Sequence, residues 1–127
     1  MTSPLLGRRV LVVEDELMVS WVLEDMLADL GCKVIGPAAR VEQALAIIES
    51  ESIDMAVLDL NLNGVYSCPV ATALQGRGIP FVLSTGYNKE NVPDQTLPFL
   101  QKPYEQSALR AVLMRLMRGR DNVLTSG

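Results

Sequence analysis

Arg9-Val10-Leu11-Val12-Val13-Glu14-Asp15 is an apolar run that stops abruptly on two acids, and three later runs repeat its form. Asp54-Met55-Ala56-Val57-Leu58 runs into Asp59, Pro80-Phe81-Val82-Leu83-Ser84 into Thr85, and Leu97-Pro98-Phe99-Leu100-Gln101 into Lys102-Pro103. Runs this short and rich in Val and Leu, with helix-like stretches between them, predict strands of a parallel sheet buried on both faces. Ligands bind such open sheets beyond the carboxyl ends of the strands. An acid pair, a carboxylate, a hydroxyl and a lysine then share one edge, and each can handle a phosphoryl group or a metal ion beside it. The ordered set is far more specific than any of its members.

Outward from these runs, residues 10–13 form the first strand and 16–30 an amphipathic helix. Val19, Val22, Leu23, Met26 and Leu30 take its inner stripe, and Gly31 stops it. A short strand follows over 33–36, then a helix over 41–50 with Val41, Ala44, Leu45 and Ile48 on one face. The third strand covers 55–58, a loop runs through Gly64, and a third helix spans 68–75. Gly76-Arg77-Gly78 turns the chain into strand four. The stretch 86–95 is polar with Pro93 close behind, so any helix there is short. Strand five spans about 97–101. The last helix, 105–118, turns Leu109, Val112, Leu113 and Leu116 inward. The expectation is one domain, 1–127, with its core at about 8–118 and a flexible tail at 119–127.

Alternating strands and helices give a doubly wound α/β fold with right-handed crossovers. The expected architecture is a five-stranded parallel sheet in the flavodoxin-like order 2-1-3-4-5, with a shortened fourth helix. Its switch point lies between strands one and three, which puts Glu14, Asp15 and Asp59 side by side.

Bulk properties exclude several classes of function. A chain of 127 residues, 49% hydrophobic and 20% charged, is an ordinary globular domain with a real core. A net charge of -4 argues against nucleic acid as the main partner. No apolar stretch approaches the roughly 18–20 residues of a membrane span, and the start lacks a basic signal region. A cytoplasmic protein that does not engage the membrane is expected. Cys32 and Cys68 form no Cys-x-x-Cys pair and read as buried free thiols. The chain has no histidine, so any metal must be a hard cation held by oxygens.

Three carboxylates converging on one site repel each other, and a divalent cation such as Mg2+ resolves the conflict. The bland alternative for Glu14-Asp15-Glu16 is a solvated acidic turn; Asp59 at the end of an apolar run favours a site. Asp59 is the nucleophile candidate, because a carboxylate can attack phosphorus to form an aspartyl phosphate. Lys102 would supply an ammonium to the phosphoryl oxygens, and Thr85 a hydroxyl hydrogen bond. Alone, such a lysine is usually just exposed and such a threonine structural.

These residues resemble the receiver domain of two-component response regulators over essentially the whole chain. The resemblance implies that Glu14 and Asp15 bind Mg2+ and that Asp59 is phosphorylated. It also implies that Asn61 offers its backbone carbonyl to the metal, and that Thr85 and Lys102 contact the phosphoryl group. Phe99 falls on the family's switch aromatic, with Thr85 as its partner in switching, and the Lys102-Pro103 peptide should be cis. Ser84-Thr85-Gly86-Tyr87 looks like a subgroup whose fourth strand ends in Phe-Ala-Thr-Gly and an aromatic. Here Leu83 and Ser84 replace the Phe and Ala. The spacing between Thr85 and Lys102 is several residues shorter than usual, which is why the fourth helix should be stunted.

Asn61 and Tyr87, two residues beyond Asp59 and Thr85, can flank the approach of water and tune dephosphorylation. On the first helix, Leu17, Ser20, Trp21 and Glu24 form a second stripe away from the core. In receiver domains that helix and the loop after strand five dock onto the kinase. Leu17, Ser20, Trp21, Pro103 and Tyr104 are therefore the expected docking residues.

The function so implied is a phosphoacceptor switch. It takes its phosphoryl group from a sensor histidine kinase or histidine phosphotransfer protein and acts on a downstream protein or as a phosphate sink. It is not an enzyme beyond its own phosphorylation and dephosphorylation. A chain without an output domain reads as a stand-alone regulator; one trimmed from a longer protein would look the same. Two alternatives remain. A haloacid dehalogenase-like hydrolase needs a second acid two residues past the nucleophile, where Asn61 cannot exchange a proton. A flavin or nucleotide module needs a Gly-rich turn after strand one, where Glu14-Asp15-Glu16 would repel phosphates.

Overall fold

The computed structural model describes residues 4–59, 61–62, 65–85, 99–101 and 105–126. In chain order these form β1 (Arg9–Val13), α1 (Leu17–Asp29), β2 (Lys33–Ala38), α2 (Val41–Ser50) and β3 (Met55–Asp59). Then come β4 (Asn61–Leu62), β5 (Val65–Tyr66), α3 (Cys68–Gly76), β6 (Phe81–Thr85), β7 (Phe99–Gln101) and α4 (Gln106–Ser126). The main sheet runs β2-β1-β3-β6-β7, and every neighbouring pair in it is parallel. This is a flavodoxin-like α/β fold. β4 and β5 pair antiparallel as a separate hairpin.

Strand alternation divides the core in two. Val10 and Val12 of β1, Met55 and Val57 of β3 and Val82 of β6 face one way. They meet Leu23 and Leu27 of α1 and Leu109, Leu113 and Leu116 of α4. Leu11, Val13, Ala56, Leu58, Phe81 and Leu83 face the other way, onto Ala44 and Ile48 of α2 and Val70 and Leu74 of α3. Each fully buried Val, Leu or Phe side chain contributes roughly 1.5–3 kcal/mol. Both faces being covered, the strands carry no polar residue until their ends.

The amino ends of β1 and β3 are tied together. The Arg9 N–H donates to Asp54 Oδ2 at 2.9 Å, the Asp54 N–H donates to the Arg9 carbonyl at 2.8 Å, and the Arg9 guanidinium reaches Glu51 Oε2 at 2.8 Å. α1 ends in a Schellman motif: Gly31, at φ +88°, donates to the Ala28 carbonyl, and Cys32 donates to the Leu27 carbonyl.

β2 carries a bulge. Leu11 pairs with Ile35 but Val13 pairs with Ala38, so β2 spends one residue more than β1 there. Gly36 sits in the bulge at φ +95°, ahead of a cis peptide to Pro37. The bulge delivers the Ala38 carbonyl to the Glu14 N–H at 2.9 Å.

Several sequence expectations need correction. On α1, Val22 is exposed, while Ser20 is 1% exposed and Leu27 is fully buried. The sequence reading puts Val22 on the inner stripe, Ser20 on the outer one and Leu27 on neither, yet the buried stripe is Ser20, Leu23 and Leu27 at i, i+3 and i+7. Ser20 can face inward because it is small and its hydroxyl donates to Glu24 Oε2 at 3.4 Å on the same helix. β4 falls in the loop read through Gly64, and β5 follows it, where the sequence reading has no strand. The core begins before residue 8, since Leu5 is fully buried in the α1–α4 layer. α4 runs past Gly119 to Ser126, where a flexible tail was expected. One glycine costs a helix only about 1 kcal/mol and need not end it. Cys68 is exposed, not buried; Cys32 is buried, and burial raises its thiol pKa. The shortened fourth helix over 86–95 and the Lys102-Pro103 peptide lie outside the described residues.

A Cβ added at Gly36 would lie 3.0 Å from the Ala38 nitrogen and 3.1 Å from the Val12 carbonyl oxygen, in a conformation that L side chains disfavour. Gly36→Ala is expected to destabilise the fold by about 1–3 kcal/mol in urea unfolding. Wild-type stability would mean that the bulge tolerates a side chain.

Candidate functional site

β1 and β3 are neighbours in register, with Val13 opposite Leu58. The residues that follow, Glu14 and Asp59, therefore lie alongside one another, and Asp15 comes next. Carboxylate oxygens of Glu14, Asp15 and Asp59 all lie within 4.8 Å of one another. Glu14 and Asp59 are buried, at 3% and 5% exposure, and Asp15 is half-buried. Glu14 is held at both ends: its N–H by the Ala38 carbonyl, and its Oε1 by the Glu16 N–H at 3.1 Å.

The other strands end on the same edge. Asp59 pairs with Ser84, which is fully buried, and the next residue, Thr85, closes β6. Thr85 pairs with Gln101, the last residue of β7, and Lys102 follows it in the chain. The backbone thus brings Thr85 to the edge that holds the acids; its side chain lies outside the described residues. Asn61 opens the hairpin as the first residue of β4, paired with Tyr66. Phe99 opens β7. Tyr87, Lys102, Pro103 and Tyr104 lie outside the described residues.

Two unit charges 4 Å apart interact by about 4 kcal/mol where the effective dielectric constant is about 20. Three carboxylates this close repel one another when ionised, and a bound cation would relieve that repulsion. The donors are all hard oxygens and the chain has no histidine, a set that fits Mg2+ or Ca2+ and not a softer metal. Glu14, Asp15 and Asp59 are the residues that would hold such an ion.

One contact at the site has no counterpart in the sequence reading. The Ser67 hydroxyl donates to the Asp59 backbone carbonyl at 2.6 Å, with Ser67 itself buried. Ser before Cys68-Pro69 is a helix N-cap signal. That signal places Ser67 at the start of α3 but not its hydroxyl on Asp59.

The expected docking residues divide. Leu17 and Trp21 are exposed on α1, Trp21 at 56%, together with Met18 and Val22. Ser20 is buried.

Residues 10–114 match the family described as the response regulator receiver domain. Among curated proteins, the transcriptional regulatory protein PdtaR of Mycobacterium tuberculosis is 25% identical over 108 residues, covering 80% of this chain and 53% of PdtaR. The chain spans about half the length of the curated relatives it matches. Among solved structures, SdrG of Sphingomonas melonis Fr1 is 39% identical with a TM-score of 0.79, over 91% of this chain and 99% of SdrG. SdrG has also been solved in a BeF3-activated conformation. The receiver domain of the sensor histidine kinase PA1611 from Pseudomonas aeruginosa PAO1 is 25% identical with a TM-score of 0.76. That match covers 87% of this chain and 98% of that domain, whose active-site cleft coordinates a magnesium ion.

Asp15→Asn removes one of three crowded like charges. At pH 7.5 in EDTA the variant is expected to be more stable than the wild type by on the order of 1 kcal/mol in thermal unfolding. In excess Mg2+ the order should reverse, because only the wild type gains full binding stabilisation. A variant less stable in both conditions would count against the charge cluster.

Proposed function

The chain belongs to the response regulator receiver domains, and from that membership we propose that it is a phosphoacceptor switch of two-component signalling. Asp59 receives the phosphoryl group, with Mg2+, from the phosphohistidine of a sensor kinase or histidine phosphotransfer protein. The phosphorylated domain then acts on a downstream protein by conformational change or serves as a phosphate sink. The observation that carries this reading is the meeting of Glu14, Asp15 and Asp59 within 4.8 Å at the carboxyl edge of the sheet.

An Asp59 carboxylate oxygen attacks phosphorus in line with the departing imidazole. The P–O bond forms as the P–N bond breaks, and the electron pair returns to the histidine nitrogen. A bound Mg2+ would neutralise charge on the phosphoryl oxygens and relieve the repulsion among the three acids. Glu14, Asp15 and Asp59 would hold that ion, with the Asn61 backbone carbonyl as a further ligand. In this reading Thr85 donates its hydroxyl and Lys102 its ammonium to the phosphoryl oxygens, and Thr85 and Phe99 relay the change to the β6–β7 side. Asn61 and Tyr87 flank the path of water and set the lifetime of the acyl phosphate. Turnover is confined to the chain's own phosphorylation and its reversal. No helix among the described residues is long and apolar enough to cross a membrane, and we place the domain in the cytoplasm beside its kinase.

Asp59 is expected to be the sole acceptor. Incubation with acetyl phosphate and Mg2+ should add one phosphate to the intact mass of the wild type and none to Asp59→Asn. Labelling that persists in that variant, or proceeds fully in EDTA, would sink the assignment.

Leu17, Met18, Trp21 and Val22 form an exposed apolar patch on α1, which begins two residues after Asp15. We assign this patch, with Pro103 and Tyr104, to kinase docking; aromatic anchors dominate many such interfaces. Trp21→Ala should slow phosphotransfer from the cognate kinase at least severalfold and leave acetyl phosphate labelling nearly unchanged. Equal slowing with both donors would mean that Trp21 supports the fold.

A further inference from the structure

We propose that Ser67 is a positioning residue: its hydroxyl fixes the main chain of Asp59 and, through it, the hairpin that presents Asn61 to the metal. The inference rests on the function proposed above and adds a residue to it. Ser67 occupies the N-cap position of α3, where a serine side chain ordinarily accepts from the helix's first free N–H groups. Here it makes no side-chain cap bond. Its carbonyl accepts from the Val70 and Ala71 N–H groups instead, and its hydroxyl donates to the Asp59 carbonyl at 2.6 Å. Helix and acceptor are thereby joined through one residue that is 1% exposed.

Between Asp59 and Ser67 the chain makes the β4–β5 hairpin, pairing Asn61 with Tyr66 and Leu62 with Val65. Leu62 is buried in the α2–α3 layer of the core, beside Val70 and Leu74 of α3. The hairpin is therefore pinned at its base by Ser67 and on its flank by Leu62. Asn61 starts it, two residues past the acceptor. Loss of the hydroxyl would leave Leu62 in the core but free the base, so Asp59 and Asn61 could shift against Glu14 and Asp15. Groups that orient metal ligands in this indirect way typically change affinity 10–100-fold when removed.

The test compares Ser67→Ala, which loses the donor, with Ser67→Thr, which keeps it, in the full chain. Calorimetric Mg2+ titration without any phosphodonor is the main readout, beside thermal unfolding in EDTA and acetyl phosphate labelling across a Mg2+ series. Ser67→Ala should bind Mg2+ about 10-fold more weakly, with labelling displaced to higher Mg2+ by a similar factor. Ser67→Thr should stay within about 2-fold of the wild type, well short of that loss. Wild-type Mg2+ affinity in Ser67→Ala would overturn the proposal even if its melting temperature fell. Equal weakening in both variants would overturn it too, because the donor would then not matter. Should Ser67→Ala fail to fold, Ser67→Gly, which also lacks the hydroxyl and is tolerated at a helix N-cap, takes its place. Wild-type affinity in Ser67→Gly, or its failure to fold as well, would assign Ser67 to the fold alone. A wild type that neither binds Mg2+ nor labels on Asp59 would instead remove the function on which the inference rests.

Discussion

Register between β1 and β3 is the constraint on which the site depends. Val13 stands opposite Leu58, and only that alignment brings Glu14 beside Asp59. In a sheet buried on both faces, a slip of one residue would turn each side chain of β1 to the opposite layer. Val10 and Val12 would then meet α2 and α3, and Leu11 and Val13 would meet α1 and α4, against the division of the two core layers. The Arg9–Asp54 hydrogen bonds lock the same register from the amino ends. The apolar core thus specifies the position of three acids that take no part in it.

Those acids are a local liability. Two are nearly buried, and all three lie close enough to repel when ionised. A protein free to relax would splay them apart. Here the means of relaxing are restricted: Asp59 is the last residue of a fully buried strand, and Glu14 is bonded through its N–H to Ala38 and through its carboxylate to Glu16. Stability supplied by the sheet keeps in place a constellation that is unfavourable without a cation. Strain of this kind at a site needs a rigid frame around it.

Much of this was legible in the sequence, and the remainder had physical reasons to be hidden. Apolar runs ending on Asp15 and Asp59 mark the edge because a strand buried on both faces admits no acid before its end. The span of α2 and the inward Leu109, Val112, Leu113 and Leu116 of α4 follow from helical period alone. Ser20 and Val22 exchanged places because hydropathy cannot see the carboxylate of Glu24 that accepts from the buried hydroxyl. The β4–β5 hairpin stayed hidden because its two-residue strands are too short to show alternation. Leu5 lies before the core that the sequence predicts; only the tertiary fold supplies the α1–α4 layer that buries it. Ser67 has no place in the sequence reading, since a serine ahead of a helix says nothing of what its hydroxyl meets.

Rigid acids and an exposed apolar helix face lie close together in the chain, and the pairing has a physical logic. Met18 is 75% exposed and Trp21 more than half exposed, in the first turns of α1. Large apolar side chains left in water gain nothing for the isolated fold, and contiguous patches of them mark interaction surfaces. Under the proposed function a donor histidine on a separate protein would be brought to Asp59 in line, so encounter and chemistry would need different surfaces. Orientation can account for a large part of the rate of such a transfer. An apolar face beside the site could supply that orientation without adding charge to a cleft already crowded with carboxylates. The buried register of β1 and β3 would then set where phosphorus is attacked, and the exposed face of α1 would set which partner delivers it.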